Sequence, residues 1–137
     1  EKFSNLIVEN LTKASKVILF SAALPGQGGT NHINEQPPEF WQKKFEDHRY
    51  TQFDIIRPII WDDPAVAWWY KQNIFLYVHE ESIEALKLLD HTNSLTQKHI
   101  VHPECLSSKI TELDIDNASV TNLSKALLRR IKKRLIK

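Results

Sequence analysis

Phe3, Leu6, Ile7 and Leu11 recur at helical spacing with Glu, Asn and Lys between them, which predicts an amphipathic helix over residues 2–14. Val17-Ile18-Leu19-Phe20 follows almost at once. A short, continuously apolar run of this kind suits a strand buried on both faces, as in a parallel sheet with helices on either side. Helix then buried strand is half of a βαβ unit. Pro25, Gly26, Gly28 and Gly29 come next and include every glycine of the chain, so the backbone turns here or lies close to something. Pro37-Pro38-Glu39 opens a second amphipathic helix carrying Phe40, Trp41, Lys44, Phe45 and His48. Thr51 to Pro58 reads as a strand with Phe53, Ile55 and Ile56 as its apolar content. Asp62-Asp63-Pro64 is an N-cap followed by proline, predicting a short helix over 64–72 that Asn73 ends. Ile74-Phe75-Leu76-Tyr77-Val78 is strongly β-prone, Ser82 to Leu89 looks helical, 90–108 looks like a polar loop, and Leu123 to Ile136 is a basic amphipathic helix.

This order predicts an α/β sheet with one side of the fold absent. The 137 residues, 42% hydrophobic, are enough for one domain core. The division expected is a first body over 1–89, a polar linker over 90–122 and the basic helix over 123–137. No apolar run approaches the roughly 20 residues that span a bilayer, and the first residues carry no signal-peptide pattern. The lone Cys105 has no internal disulfide partner, which fits a reducing, cytoplasmic setting. The chain contains no methionine and opens inside a helical pattern, so it reads as truncated.

The net charge of +1 conceals an asymmetry. Lys125, Arg129, Arg130, Lys132, Lys133, Arg134 and Lys137 crowd the last segment without an acidic residue, leaving the rest mildly acidic. A general basic balance for nucleic-acid binding is therefore missing, and only the tail offers such a surface.

Several unusual clusters carry a family resemblance. Val17-Ile18-Leu19-Phe20-Ser21-Ala22-Ala23-Leu24-Pro25-Gly26-Gln27-Gly28-Gly29 is followed by His32-Ile33-Asn34-Glu35-Gln36 and Phe40-Trp41. Arg57-Pro58, Trp61-Asp62-Asp63 and Trp68-Trp69-Tyr70-Lys71-Gln72-Asn73 come after them. Over residues 3–79 the chain resembles the C-terminal part of a class I S-adenosylmethionine-dependent methyltransferase. The resemblance implies a Rossmann-like α/β sheet in which 17–20 is the fifth strand. The segments 53–57 and 74–78 would be the last two strands, paired as an antiparallel hairpin at the sheet edge, with the C-terminal helical tail beyond them.

The family binds its cofactor mainly through a glycine-rich turn after the first strand and an acidic residue after the second. Neither is present. The glycines at 26–29 follow the wrong strand, no helix starts within one or two residues of them, and no Lys-Ser or Lys-Thr makes a P-loop. S-adenosylmethionine is thus the implied cofactor with its main binding motif outside this chain, no cofactor-binding residue is assigned here, and the missing N-terminal half of the domain is the implied partner.

What remains is chemistry on the side of a small-molecule acceptor, such as a sugar or a lipid-linked precursor. Methyl transfer needs the acceptor atom held in line with the sulfonium methyl and, where required, its proton removed. Histidine is the residue type whose ordinary pKa suits a general base near neutral pH, and His32 is the candidate catalytic residue. Asn34, Glu35, Trp41, Trp69, Gln72 and Asn73 are the candidate substrate-binding residues. In the plainer reading, His32, Asn34 and Glu35 bond within their loop and fix its shape. Of Trp61, Trp68, Trp69 and Tyr70, at least one tryptophan packs in the core while another lines an apolar wall or lies under the missing half. Gln72 and Asn73 either cap their helix or reach the acceptor. No metal site is assigned, because His32 with Glu35, and His99 with His102, are pairs with no third ligand nearby.

The tail opens a second class of function. Leu123, Leu127, Leu128, Ile131 and Leu135 lie opposite a basic face, a pattern that docks on its own domain or lies on an anionic membrane surface through residues 123–137. The latter would place the chain at the inner face of a membrane. Nucleic acid is disfavoured, since no aromatic residue interleaves with these charges to stack on bases. The alternative to a methyltransferase fragment is therefore a non-catalytic interaction module built from the sheet flank and the basic tail.

Overall fold

The first helix forms where the periodicity places it, as α1 (Lys2–Ala14), but its buried positions are Ser4 and Val8. A computed structural model describes residues 2–29, 32–87, 100–113 and 119–135, which divide into two units, 1–102 and 103–137. In the first unit α1 leads into β1 (Val17–Ser21). The helix α2 (Pro38–Glu46) then opens with proline in its first turn, where an absent N–H costs nothing, and with Glu39 near its positive end. Arg49 adopts a left-handed φ of 67° and turns the chain into β2 (Tyr50–Phe53). Two short helices, α3 (Arg57–Ile60) and α4 (Trp68–Asn73), precede β3 (Ile74–His79), and α5 (Glu80–Ile83) follows it.

The architecture is mixed α/β around a three-stranded sheet ordered β1-β3-β2. Both neighbouring pairs are antiparallel, with Ser21 opposite Ile74 and Phe53 opposite Leu76. The strands β1 and β2 therefore run in the same direction on either side of β3, and their carboxyl ends lie at one end of the sheet.

One face carries an aromatic core. Phe45 stacks on Tyr77 with ring centroids 3.9 Å apart, and Phe20 meets Phe45 and Tyr77 edge-on. Val8, Ile18, Trp41, Tyr50 and Phe75 complete it. The Tyr50 hydroxyl donates to the Ser15 carbonyl at 2.7 Å, satisfying an acceptor just past the end of α1. On the other face Phe53 and Val78 pack with Ile83. That second layer stops short of β1, where Val17 and Leu19 are 42% and 58% exposed. The apolar run is thus buried on one face only, contrary to the expectation of a doubly covered strand.

The helix α1 exposes apolar residues as well. Lys44 of α2 donates to Asn5, which sets the side of α1 that faces α2. Phe3 and Ile7 each lie two residues from Asn5, about 200° around the helix, so they point away from α2. They are 74% and 46% exposed, and Leu6 is 50% exposed. Val8 packs α1 on the face of the sheet that carries Ile18 and Tyr77, whereas the exposed Val17 and Leu19 point to the opposite face, and β1 is an edge strand among the described residues.

Three expected elements begin or end elsewhere. The strand expected over 51–58 ends at Phe53, because Asp54 and Arg57 form a buried ion pair that turns the chain into α3. The helix expected at 64 starts at Trp68, because Asp63 Oδ1 accepts from the Ala65 N–H at 2.8 Å and holds a turn instead. The helix expected over 82–89 forms at 80–83, its first turn capped by the His79 ring; residues 88 and 89 lie outside the described residues.

The second unit contains α6 (Pro103–Leu113) and α7 (Val120–Leu135). The polar-loop reading of 90–108 overlaps α6, whose proline opens the helix and whose apolar Leu106 and Ile110 stand four apart. Residues 90–99 of that loop lie outside the described residues.

Replacing Asp54 by Ala removes a carboxylate that pairs with the buried Arg57 guanidinium, and we expect it to cost about 3–5 kcal/mol of unfolding free energy. A lower urea midpoint at unchanged slope is the measurement. Burial also pushes the Tyr77 phenol above its ordinary value of 10.0. The folded chain therefore holds that proton more tightly than the unfolded chain. Its contribution is complete below the ordinary value and is lost as pH rises beyond it. Alkaline denaturation should consequently be less steep in Tyr77→Phe than in the wild type.

Candidate functional site

Antiparallel pairing of Ser21 with Ile74 brings the loop after β1 against the end of α4. That loop must reverse, and Gly26, Gly28 and Gly29 supply positive φ values of 81°, 73° and 137°. Its shape is held by Glu35, whose two carboxylate oxygens accept from the N–H groups of Gly26 at 2.8 Å and Gly28 at 2.6 Å. Charge-assisted bonds from two backbone amides to one carboxylate are among the stronger neutral-donor contacts. Glu35 is thereby committed to the loop.

His32 lies on the same turn, its Nδ1 3.7 Å from Glu35. Its ring sits over Gly29, where an added Cβ would come within 2.6 Å of the imidazole. Gly29 is therefore needed both for its backbone angle and for the space the ring occupies. The imidazole keeps 43% of its surface exposed, so it is presented to solvent on a held loop. Asn34 turns the other way: its Nδ2 donates to Ser4 Oγ on α1 at 2.8 Å, and its Oδ1 accepts from Gln36.

Gln27, between the glycines, reaches across to α4. Its Oε1 accepts from Asn73 Nδ2 at 2.8 Å and from Gln72 Nε2 at 3.3 Å. Gln72 and Asn73 are both buried at the entrance to β3. Gln72 Oε1 accepts in turn from the His102 N–H at 2.8 Å, and the His102 ring lies against Trp61, its Nε2 3.1 Å from the Trp61 carbonyl. The Gln72 carbonyl receives the buried Arg57 guanidinium, which also pairs with Asp54 and lies 4.2 Å over the Phe75 ring.

The sequence-derived candidates thus separate by position. His32 and Glu35 share the glycine turn, and Gln72 and Asn73 join it through Gln27. Trp41 is a core residue, packed on Phe20 and Phe40 and bordering a cavity of about 10 Å³, room for about one water. Its indole N–H has no hydrogen-bond partner among the described residues. Trp69 is exposed, with Trp68 edge-on to it at 5.6 Å and more covered. His102 serves the Gln72 cluster, while His99 lies outside the described residues.

Gln27, Asp54 and Arg57 escaped sequence reasoning as participants. Gln27 had one signal, a long polar side chain inside a glycine turn. Arg57 had another, a charge next to an apolar strand. Neither signal names a partner 45 or 15 residues away.

Comparison of the chain with protein-family models, with curated proteins and with solved structures finds no match in any of the three.

Gln27→Leu removes the acceptor that Asn73 Nδ2 uses. We expect a loss of about 1–3 kcal/mol, the cost of stranding a buried donor. Gln27→Glu, which keeps an acceptor oxygen in place, should lose less in the same denaturation series.

Proposed function

We propose that this chain is the acceptor-side part of a class I S-adenosylmethionine-dependent methyltransferase acting on a small molecule, such as a sugar or a lipid-linked precursor. The observation that carries the reading is the meeting of two segments on which the resemblance rests. The glycine turn with His32 and Glu35 joins Gln72 and Asn73 through Gln27 at the carboxyl end of β1. Open α/β sheets take their ligands at strand carboxyl ends. The antiparallel pairing of β2 with β3 supports the hairpin that the resemblance implies, although of its segment 53–57 only Phe53 lies in the strand.

The described residues do not by themselves fit the cofactor. Among the described residues that follow the glycine turn no helix starts before Pro38, so no helix N-terminus follows the turn directly. The exposed Phe3, Leu6 and Ile7 of α1 on one face of the sheet, and Val17 and Leu19 on the other, support a cofactor-holding half that docks along the β1 edge. An unpaired strand edge with apolar neighbours is a surface that favours a partner.

When bound, S-adenosylmethionine supplies an electrophilic methyl group. The task left to this chain is to take a proton from the acceptor's hydroxyl or amine, and His32 is the group placed for it. Its exposed imidazole has one nitrogen toward Glu35, and we assign the other to the acceptor. Glu35 and the glycine amides hold the turn on which that ring stands.

A second reading is a non-catalytic interaction module, favoured by the same exposed β1 edge. Calorimetric titration with S-adenosylhomocysteine separates the two. We expect saturable binding by the chain extended upstream through its native start, and none by the 137 residues alone. Heat from neither form overturns the enzyme reading in favour of the module.

A further inference from the structure

The helix α7 spans 16 residues from Val120 to Leu135. At 100° per residue, Val120, Leu123, Leu127, Leu128, Ile131 and Leu135 fall within one arc of about 140°. Lys125, Arg129 and Lys133 occupy the opposite side, Lys132 and Arg130 lie just outside the two borders, Ser124 and Arg134 fall inside the arc, Arg134 near its edge, and the helix contains no acidic residue. The apolar arc is uncovered: Leu127, Leu128 and Ile131 are 61%, 64% and 44% exposed.

We propose that α7 is a membrane-surface helix that lies flat on an anionic bilayer, its apolar arc among the acyl chains and its basic residues among the headgroups. Charge decides between the occupants of such an arc. A second copy of α7 would bring two wholly basic helices together, and like charges at close range oppose that pairing. An anionic headgroup layer complements every charge on the helix at once. A soluble nucleic acid also complements the charge but gives the apolar arc nothing to bury against. From residue 103 to the end there is no aromatic side chain to stack on a base.

Geometry restricts the mode. A helix of this length extends about 24 Å, less than the roughly 30 Å hydrocarbon layer, and no helix among the described residues is long and apolar enough to cross a membrane. The border arginines have long stems that let their charges reach the headgroups while the helix lies at the interface. This inference stands on α7 alone and does not depend on the methyltransferase reading.

The test is co-sedimentation of the whole chain with vesicles of phosphatidylcholine alone and of phosphatidylcholine mixed with phosphatidylserine. We expect partition onto the anionic vesicles only. It should weaken when salt rises from about 0.1 M to about 1 M, which shortens the screening length from about 10 Å to about 3 Å. The double variant Leu127→Glu, Ile131→Glu should lose vesicle binding by about tenfold or more, two insertion contacts being replaced by anions. Both positions are exposed, so the first unit should keep its wild-type urea transition in the variant. Absence of partition onto anionic vesicles overturns the proposal. So does binding that the double variant retains, or that a soluble polyanion such as heparin reproduces with equal affinity for both proteins, since the apolar arc would then be idle.

Discussion

A guanidinium that is 1% exposed has to find acceptors and a counter-charge inside the protein, because an isolated buried cation is prohibitively costly. Arg57 meets the Asp54 carboxylate just past β2, the Gln72 carbonyl on α4, and the face of Phe75 in β3. Each contact ties a different element to the same atom group. The result is that the end of β2, the end of α4 and the start of β3 are held in one register. The polar cluster of Gln72 and Asn73 inherits its position from that arrangement.

The cluster then organises the loop. Gln27 bonds to both amides from one side of the glycine turn, and Glu35 closes the turn from the other by accepting two backbone N–H groups. His32 stands on this scaffold, with its ring in the space that Gly29 leaves free. A buried hydrogen-bond network thus supports an exposed titratable group. This is the division of labour that positioning of a general base requires, since a base on a wandering loop gains little from proximity.

The two faces of the sheet differ for a related reason. The face that carries Tyr77 and Phe75 is sealed by aromatic rings from α2 and by Val8 of α1, whereas the other is covered only over β2 and β3. On the β1 side Val17 and Leu19 meet solvent on that second face. Singly exposed apolar side chains need no explanation, but Val17 and Leu19 on one face and Phe3, Leu6 and Ile7 of α1 on the other leave apolar groups on both sides of an edge strand. Both readings of function use that edge, one for the rest of an enzyme and the other for a separate partner.

Periodicity alone was enough for α1, β1, α2 and β3, because each has a strong local pattern bounded by proline, glycine or a polar break. The clustering of every glycine marked the turn, and the family resemblance together with side-chain chemistry, not periodicity, singled out His32, Glu35, Gln72 and Asn73. Periodicity misplaced the end of β2 and the start of α4, where Asp54, Arg57 and Asp63 override propensity through specific hydrogen bonds. The covering of β1 was also beyond it, since an apolar strand reads the same whether one face or two find a neighbour. Which polar groups meet was decided by the tertiary structure, as with Gln27 and Asn73, 46 residues apart. Local sequence encodes backbone preference and amphipathic pattern, while the pairing of distant polar side chains depends on strand register and burial, which arise only when the whole sheet assembles.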